Sequence, residues 1–168
     1  MKISERKLLK IAKLLAAVSQ NVPNVNYGGC GKFAFALQKK LREYGIRSSA
    51  YVLSRRNYAE DVPMARQLTS DYNWVHVILR IGKVYVDATG LYGRSEEDVL
   101  ATTKKTFMGR YDRLTLIPAS QMPSVVKNVN WNPRYDIRYD QIVREILDDV
   151  VESNLAPRKS SARASGNN

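Results

Sequence analysis

"WVHVILRIGKVYVDATG" (Trp74–Gly90) is the stretch that decides the fold. Two runs rich in β-branched and aromatic residues, 74–80 and 83–88, flank a glycine. Such runs around a short turn read as an antiparallel hairpin. With Ile81-Gly82 as a two-residue turn, Arg80 pairs with Lys83 and His76 pairs with Asp87. Directly opposed residues share one face of the ladder, with Cβ atoms about 5 Å apart. The hairpin is therefore expected to set the only histidine of the chain against a carboxylate. A one-residue bulge near Gly82 would shift this register.

The only cysteine lies upstream, in "NYGGCGKFAFALQKKLREYG" (Asn26–Gly45). Cys30, Phe33, Ala34, Leu37 and Leu41 recur at helical spacing, so a helix is expected over 29–44, stopped by Gly45. Cys30 then sits in its first turn. Ahead of it, 4–19 reads as an amphipathic helix with Leu8, Ile11, Leu15 and Val18 inward, and 21–29 as a turn-rich break. Residues 46–54 and 113–120 read as strands, 55–73 as a loop with one helical turn, and 95–105 and 140–153 as helices. No internal repeat is visible. The expected architecture is α+β: N-terminal helices, with the cysteine-bearing helix packed on a small antiparallel sheet. One domain is expected over 1–153, followed by a disordered basic tail over 154–168.

The totals bound the class. At 168 residues and 44% hydrophobic, the chain can build one core. No apolar run is long enough to span a membrane. Lys7, Lys10 and Lys13 interrupt the N-terminal segment, so no secretory leader is expected. A single cysteine makes no internal disulfide and no cysteine-rich metal site, so no metal and no cofactor is expected and a cytoplasmic setting is the default. The net charge of +11 predicts attraction to polyanions. No oligomeric state is indicated.

Thiol chemistry needs a thiolate, which a helix N-terminus favours through its unpaired N–H groups. It also needs a proton acceptor and a group that orients that acceptor. Cys30, His76 and Asp87 supply these three parts. Gly28, Gly29 and Gly31 are expected to leave room for a substrate backbone beside the sulfur. The Cys30 N–H is one candidate oxyanion donor, and Asn24, Asn26 and Tyr27 are candidates for a second. Trp74, two residues before His76, is a candidate wall of the site. Each part also has an ordinary structural role: a small core cysteine, asparagines in turns, a tryptophan in the core, an aspartate capping a strand end.

The order of parts resembles the transglutaminase-like cysteine enzymes, within the papain-like fold. The resemblance rests on Gly28-Gly29-Cys30, Ala34, Leu41-Arg42, Gly45-Ile46, His76, Gly82, Asp87 and Thr89, spanning 28–90. It implies Cys30 as nucleophile, His76 as general base and acid, and Asp87 as its orienting partner. It further implies a protein or peptide substrate, acidic given the charge, and a small bacterial or phage protein; for a phage chain the compartment is the host cytoplasm. Departures are Ile78 where the family has an aromatic, Ala88 where proline is common, and an interval of only eleven residues from His76 to Asp87. These bear on the substrate. A cysteine peptidase, amidase, deamidase or transferase all fit.

A second class is a basic nucleic-acid-binding protein. Its support is the charge and "WNPRYDIRYD" (131–140), where Trp131, Tyr135 and Tyr139 alternate with Arg134 and Arg138. Rings beside arginines can stack bases and contact phosphates. They can equally pack a connecting segment onto the core.

Overall fold

The computed structural model describes residues 3–55, 57–69, 75–106, 111–129 and 134–156. One sheet is built from β1 (Ser49–Ser54), β2 (His76–Ile81), β3 (Val84–Asp87), β4 (Gly90–Gly93) and β5 (Arg113–Ile117). Its order is β4-β3-β2-β1-β5, and every neighbouring pair is antiparallel. The helices are α1 (Glu5–Leu14), α2 (Ala16–Asn21), α3 (Cys30–Glu43), α4 (Met64–Thr69), α5 (Glu96–Thr106), α6 (Met122–Asn128) and α7 (Asp140–Leu155). The protein is thus α+β, and α3 packs on β2 and β1.

Period-two alternation along β2 sets which side chains go where. Val77, Leu79 and Ile81 enter the main core with Phe33, Leu37 and Leu41 of α3. Ile78, on the opposite face, joins a smaller cluster with Leu53, Tyr85, Tyr92 and Val99. Both faces of the central strand are therefore covered, which explains why it reads as an almost unbroken apolar run.

Several expectations are corrected here. The β2–β3 turn is Gly82-Lys83, so Arg80 pairs with Tyr85 and Ile81 with Val84. Gly82 has φ +60°, the conformation a two-residue hairpin demands at its first loop position, and this moves the turn one residue later than expected. The first helix is not continuous over 4–19. It breaks at Leu15, and within the restarted helix the Ser19 N–H bonds the Ala88 oxygen of the β3–β4 turn at 3.1 Å. Strand β1 starts at Ser49 rather than 46, while β5 ends at Ile117, at the stop expected from Pro118. The helical turn expected within 55–73 is Met64–Thr69. α7 continues past 153 to Leu155, where Asn154 and Leu155 are buried and the Asn154 amide donates to the Val150 oxygen at 2.7 Å. The tail over 157–168 lies outside the described residues. Strand β4 and helix α6 were not expected, since both are short and are bounded or broken by glycine or proline.

Among the described residues no helix is long and apolar enough to cross a membrane.

Candidate active site

His76 opens β2 and Asp87 closes the antiparallel neighbour β3, so both lie at one end of the sheet. The register correction shifts pairing by two residues, and a shift of two keeps every side chain on its face. Asp87 falls opposite Ile78, and His76 reaches it diagonally. A diagonal pair is about 7–8 Å apart, which suits a contact made by the outer ring nitrogen. His76 Nε2 lies 2.9 Å from Asp87 Oδ2. Both side chains are about 1% exposed.

Asp87 divides its work between its two oxygens. Oδ1 accepts from the Thr89 N–H at 2.7 Å and from Thr89 Oγ1 at 2.5 Å, an Asx-turn that closes the β3–β4 connection. Oδ2 takes His76 and also the Asn26 amide, which donates at 3.2 Å. The strand-end cap and the histidine partner are therefore one residue doing both jobs. The ring of His76 is tilted against that of Tyr92, with centroids 5.8 Å apart. Tyr92 is itself held by Thr103 of α5, whose Oγ1 lies 3.1 Å from its hydroxyl.

Cys30 is the first residue of α3, free, and 2% exposed. It is close enough to the His76 ring to influence its ionisation. Burial, the largest single influence on the imidazole, pushes its pKa down. Hydrogen bonds to Asp87 and Cys30, and the charges of both, push it up, and the outcome is a value raised to about 9.

The remaining candidates fall elsewhere. Asn24 is exposed at φ 57°, and its amide donates to the Arg134 oxygen at 3.2 Å, so it serves the loop rather than an oxyanion. The Asn26 amide is engaged by Asp87. Tyr27 is 46% exposed on the loop before Cys30. Trp74 lies outside the described residues. The room at Gly29 is not left for substrate: a Cβ there would stand 2.6 Å from the Tyr135 ring and 2.8 Å from the Val25 oxygen. Tyr135 is buried, and its hydroxyl donates to Asp140 at 2.8 Å. It is a packing residue, unavailable for stacking on bases. Trp131 lies outside the described residues.

Three supporting contacts were not read from the sequence, where Asn26 stood as an oxyanion candidate and Thr89 only as part of the resemblance. Asn26 acting on Asp87, Thr89 capping it, and Tyr92 flanking the imidazole all depend on how β4 and the 22–29 loop fold back. Among the described residues no group of three or more histidine, cysteine or acidic side chains could hold a metal ion. No family model, no curated protein and no solved structure matches the chain.

Proposed function

We propose that the chain is a thiol-dependent acyl-transfer enzyme with a transglutaminase-like, papain-like core. The observation that supports this most is one convergence: a cysteine opening a helix, within reach of a buried histidine whose Nε2 is held 2.9 Å from a buried aspartate. In the reaction, His76 accepts the Cys30 proton at Nδ1 while Asp87 keeps the ring oriented. The thiolate attacks the carbonyl carbon of an amide or ester, and the oxyanion takes the Cys30 N–H. The tetrahedral intermediate collapses, breaking the bond to the leaving amine or alcohol, which leaves with the proton from His76. A thioester on Cys30 remains. Water or an amine attacks it, His76 takes up the proton of that nucleophile, and the thiol is restored. Water gives hydrolysis and an amine gives transfer. The net charge of +11 favours acidic protein or peptide substrates.

Because Cys30 is buried, a small acetylating ester is the suitable first probe. Mass spectrometry is expected to find one acetyl group on the Cys30 peptide of the wild type at early times, and none on that peptide in Cys30→Ala. Acetylation confined to lysines, with Cys30 unmodified, would contradict the proposal.

A further inference from the structure

The α1 helix carries its core face inward through Leu8, Ile11 and Ala12. Its outer face carries Arg6, Lys7, Lys10 and Lys13, all exposed. Arg6, Lys10 and Lys13 fall at i, i+4 and i+7, a row about 10 Å long at 1.5 Å per residue. These four cations, with one carboxylate, Glu5, among them, line a groove of about 810 Å³, whose far wall is the end of α7 at Ser153, Asn154 and Ala156. None of the four cations makes an ion pair among the described residues. Several cations elsewhere do: Lys32 meets Asp140 at 3.3 Å, Arg138 meets Asp136 at 2.6 Å, and Lys40 meets three carboxylates.

We propose that this groove binds the phosphate backbone of a nucleic-acid duplex. A concave row of unpaired cations matches a polyanion whose charge is regularly spaced. Among the described residues no aromatic ring lines the groove, so bases of a single strand would find no stacking platform. An amphipathic helix would need apolar anchors at several turns, and Leu9 is the only large apolar side chain there. A membrane surface would need the apolar face of α1, which is already in the core. None of the groove residues belongs to the Cys30 site, so this inference does not depend on the proposed chemistry.

The test is fluorescence anisotropy with labelled duplexes of about 20 base pairs, one DNA and one RNA, from about 50 to 200 mM salt. Arms with an acidic polyglutamate peptide and with phosphatidylserine vesicles run in parallel. Wild type and Cys30→Ala are expected to bind at least one duplex equally, tightest at low salt. Replacing Arg6, Lys7, Lys10 and Lys13 together with glutamine should weaken binding tenfold or more and flatten the log–log salt slope by about three to four. Replacing Lys39, Lys83, Lys104 and Lys127, four exposed cations elsewhere, should have a clearly smaller effect. Equal loss in the two quadruple variants, tighter binding of the peptide or vesicles, or no duplex binding at low salt would each overturn the proposal.

Discussion

Asp87→Asn is expected to fold and lose its thiol chemistry, whereas Asp87→Ala is expected to lose both. Alanine removes the acceptor of four hydrogen bonds, from His76, Asn26 and the two donors of Thr89. His76 would stay buried with its partner gone, a situation that costs about 3–5 kcal/mol. Asparagine keeps the shape and an oxygen for Thr89, so its cost should be about 1–2 kcal/mol. Its NH₂ group, however, would face His76 Nε2. That nitrogen must then accept, which puts the ring proton on Nδ1 and leaves no acceptor for the Cys30 proton. Acylation of Cys30 should fall about 10²–10⁴-fold in the asparagine variant, the usual worth of a general base. Urea melts and acetylation rates measured together check both parts. An asparagine variant that acylates at the wild-type rate would make Asp87 only a turn cap.

His76→Ala is the second large effect expected. The wild-type ring is the acceptor for the Cys30 proton and, once it holds that proton, the positive charge beside the sulfur. Without it, Cys30 remains a buried thiol at a helix start, with the helix terminus as its only activation. The acetylation rate at neutral pH should drop about 10²–10⁴-fold. The truncation also leaves Asp87 short of one partner and opens a cavity, so a thermal melt must accompany the rate. A folded variant with an unchanged rate would remove histidine from the mechanism. Because the chain has one cysteine and one histidine, neither measurement is confounded by another residue of the same type.

Much of this arrangement is legible in the sequence, for reasons that can be named. The helix over α3 follows from apolar spacing and stops just before Gly45, where the Ile46 N–H returns to the Leu41 oxygen at 3.0 Å. The β2–β3 hairpin follows from its β-branched runs. The pairing of His76 with Asp87 survived a misplaced turn only because the error was an even number of residues. The direct opposition that was expected is a diagonal contact in the structure. What was hidden has a common origin. β4 reads "GLYG", with a glycine at each end, and carries too little β-branched content to stand out, so Tyr92 gave no sign of flanking the imidazole. The glycines beside Cys30 looked like substrate clearance, but the ring filling the space at Gly29 comes from more than a hundred residues away. Asn26 carries ordinary turn chemistry in its own segment, and only the fold brings its amide to Asp87. Long-range side-chain partners of this kind leave no local pattern.

The central claim is that Cys30, His76 and Asp87 share one proton economy, and the imidazole reports it directly. A pKa raised from 6.5 to about 9 means the folded state holds the His76 proton more tightly than the unfolded chain. Its contribution to stability is full below about pH 6.5 and is lost as pH rises through about 9. The decisive measurement is a ¹⁵N NMR titration of the single histidine in the wild type and in Cys30→Ala. In the wild type the ring should stay protonated past pH 8, with a midpoint near 9. In Cys30→Ala, which removes the sulfur's hydrogen bond and charge, the midpoint should fall. A ring that titrates at its ordinary value in both proteins would contradict the coupling and, with it, the proposed site.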